Sequence, residues 1–192
     1  MKKMLVLMLS LMVASSAFAV IDADPDMLGI YFDEAADVSC TSATPYATVV
    51  TYVIMTNPSN ATIGGFEFGY DVDGAAQVLS TVFPPNALDV GSAANHIVGL
   101  GAPLETTEAT ILATISVLNM DAAMGPIYFS LHGSNPSSID PMLPTILFGQ
   151  GNLMTLGTST LPGTFSAVIN GICEDVVATE ETSFDALKSL YR

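Results

Sequence analysis

The sequence predicts an all-β domain, a sandwich or barrel of about nine short strands. Short runs rich in β-branched and aromatic residues recur along the chain, and clusters of Gly, Pro and Asn separate them. Hydrophobic residues make up 50% of the 192 residues. This content indicates that the middle of the chain is folded and has a sizeable core.

The individual runs predict the strands in order. They lie at residues 27–33, 47–56, 66–70, 77–83, 110–118, 127–132, 145–148, 153–156 and 164–169, with one or two more within residues 88–100. The run at residues 47–56 is apolar on both faces, which favours a central strand. Clusters such as residues 57–60, 71–74 and 84–86 predict turns.

Two of these runs have a clear two-residue period. Phe66, Phe68 and Tyr70 alternate with Glu67 and Gly69, which predicts one aromatic face on a half-buried strand. Residues 110–118 alternate as well. The pattern there places four apolar residues on one side: Ile111, Ala113, Ile115 and Val117.

The first 19 residues predict an export signal. Lys2 and Lys3 precede an apolar stretch, and residues 17–19 form a small-x-small cleavage site. The exported form would begin at Val20, with a β-sandwich domain at residues 20–173. No later segment offers about 20 apolar residues, so we expect no membrane anchor and a secreted, periplasmic or cell-surface protein. The short signal is typical of a bacterial protein.

Residues 174–192 differ from the rest, because an acidic connector leads into a short helical pattern that Ser183 could cap. The predicted helix has one apolar stripe, which consists of Phe184, Leu187, Leu190 and Tyr191. Its two basic residues, Lys188 and Arg192, lie near its C-terminal end. Two interpretations stay open. The segment is a terminal helix that docks on the domain or frays from it, or it is a recognition tag for a secretion or attachment machine.

Charge excludes several functions. No Lys or Arg lies between Lys3 and Lys188, and all 19 acidic residues lie there. Such a body cannot clamp phosphate or neutralise a nucleic-acid backbone. Removal of Lys2 and Lys3 with the signal would take the formal charge from −15 to −17.

Cys40 and Cys173 are the only cysteines, and an exported chain can oxidise them. We therefore predict a disulfide between them, which would connect the first part of the domain to the last. Two free, buried thiols are the alternative.

Several segments resemble the cohesin-like β-sandwich, which is immunoglobulin-like in architecture. They are residues 49–52, 63–71 (IGGFEFGYD), 78–79, 111–115 (ILATI) and 125–127. In that family a strand, a glycine turn, an aromatic strand ending in Tyr-Asp and a later strand of the Leu-Ala-Thr-Ile kind follow one another in this order. The resemblance implies a sandwich and a non-catalytic module that binds a protein, or in some relatives a carbohydrate, through one sheet face. The chain departs from the pattern at residues 84–108 and in its tail, so a dockerin-type partner is not carried over.

Catalysis has little support in the sequence. No nucleophile elbow, zinc cluster or phosphate loop is present, and His96 and His132 are interpreted as ordinary strand-edge residues. A secreted hydrolase with paired carboxylates stays open as a lesser alternative. Without tryptophan, sugar stacking would fall to tyrosines such as Tyr31, Tyr46 or Tyr128.

Calcium is the most credible cofactor, because Asp71-x-Asp73-Gly74 begins like an oxygen-rich calcium loop. The motif lacks a third acid and the distant Glu, so a plain Asp-Gly hairpin turn competes with it. A last alternative for the whole protein is a self-associating surface or fibre subunit, since the domain has no lysine to protect its sheet edges.

Overall fold

Two β-sheets pack face to face around an apolar core in the computed structural model, which describes residues 24–149, 151–161 and 164–176. These residues form thirteen strands and one short 3-10 helix, at Cys173–Val176. The strands are β1 Met27–Tyr31, β2 Cys40–Thr41, β3 Thr48–Thr56, β4 Thr62–Asp73, β5 Ala76–Val82, β6 Ala87–Asp89, β7 Asn95–Glu105, β8 Ala109–Asn119, β9 Ile127–His132, β10 Thr145–Phe148, β11 Asn152–Thr155, β12 Gly157–Thr158 and β13 Phe165–Ile169. The predicted all-β sandwich is confirmed, and every predicted strand is present.

Sheet A has five strands in the order β12-β1-β3-β8-β5. Strand β3 pairs antiparallel with both β1 and β8, so the prediction of a central strand at residues 47–56 is confirmed. Strand β12 adds to β1 in parallel, and β5 forms the other edge.

Sheet B is built on the long strand β4. Gly69 of this strand is the register partner of both Asn95 in β7 and His132 in β9, so β7 and β9 pair with opposite edges of β4. Strand β10 also pairs with β4, at residues 63–67. Beyond these neighbours, β6 pairs with β7, β11 with β10, and β13 with β9, while β2 adds to β13.

The core lies between the sheets. Phe66, Phe68 and Tyr70 of β4 are buried there with Val53 and Ile115 of sheet A, which confirms the predicted aromatic face. The opposite face of β4 was expected to be exposed, and this is wrong at Glu67. The Glu67 side chain is only 8% exposed, because Ser134 and Ser138 of the loop at residues 133–144 hydrogen-bond to it.

The prediction that Ile111, Ala113, Ile115 and Val117 lie on one side of strand β8 is wrong at Ile111. The register with β3 shifts between Val53 and Ile54, whose partners are Ala113 and Ile111, so Leu112 is an extra residue. Such a bulge reverses the faces on one side of it. Ile111 therefore packs with Tyr31 and Ile54 in a separate small cluster rather than with Ala113 in the main core.

The predicted disulfide is present, because Cys40 in β2 is bonded to Cys173 in the 3-10 helix, with their Cα atoms 5.3 Å apart. It connects the region before β3 to the region after β13. The predicted signal at residues 1–19 and the predicted tail helix lie outside the described residues. Among the residues that the structure describes, no helix is long and apolar enough to cross a membrane.

Candidate binding surface

The outer face of sheet B has an apolar groove. One residue from each of five neighbouring strands lies in a single row across this face: Leu88, Gly99, Gly65, Leu147 and Leu153. The two glycines have no side chain, so the leucines on both sides rise above a floor of bare backbone. Neighbouring strands lie about 4.8 Å apart, so the backbones that carry Leu88 and Leu147 are roughly 14 Å apart. This width accommodates an extended segment or a helix.

The groove has a volume of about 290 Å³, and nearly all of its surface is apolar. Val90 and Ile97 extend the wall that Leu88 begins. Leu88 is 68% exposed and Leu153 is 47% exposed, although both are large aliphatic side chains. Exposed apolar groups that cluster around a concave surface are typical of an interaction site.

The two floor glycines differ in what surrounds them. A Cβ atom at Gly65 would lie 2.7 Å from the carbonyl oxygen of Val98, so a side chain there would collide with β7. A Cβ atom at Gly99 would have no other atom within 4 Å. A larger residue at position 99 would therefore fill the groove without disturbing the fold.

One end of the groove is polar. Glu67 and Thr145 are register partners on β4 and β10, and both line this end. The Glu67 Oε2 atom accepts a hydrogen bond from the Ser138 backbone N–H at 2.9 Å, and its Oε1 atom accepts one from the Ser138 hydroxyl. The Thr145 hydroxyl is buried without a hydrogen-bond partner.

A histidine–aspartate pair supports the wall that carries Leu88 and Val90. The His96 Nδ1 atom lies 2.7 Å from the Asp89 Oδ2 atom, and the Asp89 Oδ1 atom accepts hydrogen bonds from the backbone N–H groups of Gly91 and Ile97. Asp89 thus closes the turn between β6 and β7. Burial raises the pKa of Asp89, but the hydrogen bonds from His96, Gly91 and Ile97 lower it by more, so this pKa lies below its ordinary value.

His96 lies at the start of β7, as expected, but its burial was not expected. Its side chain is 4% exposed, because the residue points into the core from the inner face of β7. The rings of Phe68, Tyr70 and Phe83 surround it, with centroids 5.0–5.7 Å away. A polar side chain fits there because Asp89 satisfies one of its nitrogens. His132 does lie at a strand end, as expected, with its Nε2 atom 3.4 Å from the Asp71 Oδ2 atom.

Asp71 and Asp73, the residues predicted to bind calcium, both belong to β4 rather than to a turn. Both are exposed on the outer face of sheet B. The turn itself begins at Gly74. In the part of the chain that the structure describes, no three His, Cys, Asp or Glu residues come together as a metal site.

The sequence reasoning missed the groove residues themselves. Gly64 and Gly65 resemble a glycine turn in the sequence, yet both lie within β4. The signal that could have found the groove is the recurrence of glycine at Gly99 and Gly101 in an otherwise apolar strand. Glycine in a strand often marks the close approach of a ligand or another backbone.

Comparisons with solved structures identify the architecture. A type II cohesin domain from the cellulosome of Acetivibrio cellulolyticus aligns with a TM-score of 0.54 at 15% identity, over 77% of this chain and 96% of that one. The chain has a cohesin-like fold.

Two further structures agree. The sixth cohesin of scaffoldin B from the same organism, solved in complex with the Cel5 dockerin, aligns with a TM-score of 0.53 at 14% identity over 75% of this chain and 96% of that one. A cohesin module from a Clostridium perfringens family 33 glycoside hydrolase aligns with a TM-score of 0.50 at 9% identity, over 68% and 89%. Neither protein-family models nor curated protein sequences match the chain. The cohesin-like fold predicted from the sequence is thus confirmed as a fold.

Proposed function

We propose that the chain is an exported, non-catalytic recognition module that binds a protein partner in the apolar groove of sheet B. The observation that carries this proposal is the row of three leucines around a floor of two glycines, in which Leu88 and Leu153 are exposed and Leu147 is half-buried. Aliphatic walls of this kind bind the apolar side chains of a peptide or a protein surface, and the bare floor allows a close approach.

The fold and the disulfide support the proposal. One of the structures with the same fold is a cohesin solved in complex with a dockerin, so this architecture can carry a protein-binding face. The bond between Cys40 and Cys173 favours an oxidising compartment, which agrees with the predicted export signal.

A polysaccharide fits the groove less well. Sugar sites usually combine an aromatic platform with several polar groups, whereas aliphatic side chains line this groove. Two of the three tyrosines considered for stacking are engaged elsewhere. Tyr31 is buried, and the Tyr128 ring stacks on Phe165 with centroids 4.2 Å apart.

The residues that line the groove suit binding rather than catalysis. Its one acidic side chain, Glu67, already accepts hydrogen bonds from Ser138, and no histidine or cysteine lines it. General acid–base chemistry needs a group that is free to exchange a proton with a substrate.

A matched pair of leucines allows a direct test. Leu153 lies in the groove and is 47% exposed, while Leu79 lies on β5 of the other sheet and is 50% exposed. A photo-crosslinking amino acid at position 153 should form an adduct with a specific protein of the native cell envelope, and the same group at position 79 should not. The captured protein is then purified and titrated against the Leu153→Asp and Leu79→Asp variants.

We expect Leu153→Asp to weaken binding by about tenfold or more, which corresponds to one buried leucine. Leu79→Asp should leave affinity unchanged. Adducts at both positions, or equal affinities for both variants, would contradict a binding role for the groove.

A further inference from the structure

The polar end of the groove lacks a cation. The Glu67 carboxylate is buried and accepts hydrogen bonds from the neutral donors of Ser134 and Ser138. The described residues contain no Lys or Arg at all, since all four basic residues lie at positions 2, 3, 188 and 192. A buried carboxylate is stabilised most strongly by a cationic partner, so the groove is suited to a ligand that is apolar and carries a positive charge.

One segment of this chain has that chemistry. Residues 183–192 contain both basic residues of the exported form, Lys188 and Arg192. With a helical period, Phe184, Leu187 and Tyr191 fall on one stripe of the segment. A helix in a hydrophobic groove, with anchors three and four residues apart, is a recurring mode of peptide recognition.

We infer that the groove of one copy of this protein binds residues 183–192 of a second copy. The inference rests on the proposed function and names the partner. The apolar stripe would lie on the glycine floor between the leucine walls, and one of the two cations would pair with Glu67.

A second copy fits better than the same molecule because of the distance involved. The last described residue, Val176, accepts a hydrogen bond from Ser39, which lies next to the edge strand β2. From β2, register pairs run through β13 and β9 to Asp73 at the end of β4. Gly65 is eight residues away along β4, about 26 Å, and three strand spacings add about 14 Å across the sheet. Residues 177–183 span roughly 25 Å when fully extended. The straight-line distance to Gly65 is thus about 30 Å, which is more than this connector can span, whereas another copy imposes no such requirement.

A contact of this kind joins two different surfaces of the same protein. Such heterologous contacts generate rings or open filaments, because two copies joined by one contact still have one free groove and one free segment. The inference thus supports the alternative of a self-associating surface or fibre subunit, and it supplies the contact.

A complementation experiment with the full exported chain tests the inference. Gly99→Leu fills the groove, and Leu187→Asp disables the segment. By sedimentation velocity, the wild-type protein should form species larger than a dimer as its concentration rises, and each variant alone should stay monomeric. The mixture should give a one-to-one dimer and nothing larger, because only one productive contact is possible. Leu153→Asp should repeat the result of Gly99→Leu, and Leu79→Asp should behave as wild type.

A mixture that stays monomeric would overturn the inference, and so would a Leu187→Asp variant that assembles like the wild type. A monomeric wild type at every concentration would also overturn it.

A labelled peptide of residues 183–192 provides the second measurement. Its fluorescence anisotropy should report binding to the full-length Leu187→Asp variant. Glu67→Gln should weaken that binding by about tenfold through loss of the ion pair, and Leu79→Asp should not change it. If the peptide does not bind but the crosslinker at position 153 captures another protein, the self-association is wrong and the proposed function stands. If neither binds, the proposed function fails as well.

Discussion

The Asp89–His96 pair should contribute measurably to stability, and a double-mutant cycle would isolate its contribution. Asp89→Ala leaves the buried His96 Nδ1 atom without its partner at 2.7 Å, and it also frees the N–H groups of Gly91 and Ile97. A buried donor that loses its acceptor costs about 1–3 kcal/mol, and the two more accessible N–H groups should raise the total to about 2–4 kcal/mol.

His96→Phe should cost much less. Phenylalanine fits among the rings of Phe68, Tyr70 and Phe83, and the change also removes the Nε2 atom, which is buried without a partner. In the double variant no unpaired histidine remains. We therefore expect it to be about 1–2 kcal/mol more stable than the sum of the two single effects predicts.

Urea unfolding at pH 7, followed by far-UV circular dichroism on the oxidised protein, would measure these free energies. Asp121→Ala is the matched control, because Asp121 accepts hydrogen bonds from two backbone N–H groups, those of Ala123 and Gly125. It should cost about 1 kcal/mol. If Asp89→Ala costs no more than Asp121→Ala, or if the cycle shows no coupling, the Asp89–His96 hydrogen bond does not stabilise the fold.

Three further predictions concern pH, the disulfide and calcium. The folded-state pKa of Asp89 lies below its ordinary value, so the Asp89 carboxylate stabilises the fold at neutral pH, and this stabilisation is lost as pH falls through that pKa. The difference in unfolding free energy between wild type and Asp89→Asn should therefore narrow in acid. A constant difference in urea titrations would contradict this. Replacing Cys40 and Cys173 by serine opens a loop of 133 residues and should cost about 4–5 kcal/mol in the same assay, whereas an unchanged midpoint would show that the bond contributes nothing. Calcium binding at Asp71 and Asp73 stays a prediction; it requires a melting temperature that rises with calcium and falls with chelator in the wild type, but not in the Asp71→Asn/Asp73→Asn variant.

The strands were predictable because each depends on local sequence. Side chains in a strand alternate between two faces, so Phe66, Phe68 and Tyr70 indicate their own buried face whatever lies opposite. The central position of β3 followed in the same way from a run that is apolar on both faces. The disulfide was predictable because a chain with only two cysteines offers one pairing.

The errors arose where distant parts of the chain meet. The extra residue Leu112 depends on the pairing of β8 with β3, and it moved Ile111 to another cluster. The burial of His96 was not foreseen because its acceptor, Asp89, faces it only after β6 pairs with β7. Glu67 was expected on an open face, which a loop about 70 residues later in the chain covers.

The sequence alone determined the all-β class, the aromatic side of β4, the covalent link between the two cysteines and a body without Lys or Arg. These properties follow from composition and from the two-residue period of a strand. The tertiary structure alone decided where the apolar groove lies. The groove exists because hydrogen-bond register places Leu88, Gly99, Gly65, Leu147 and Leu153 in one row, and register between five strands is a property of the folded sheet that no single segment encodes.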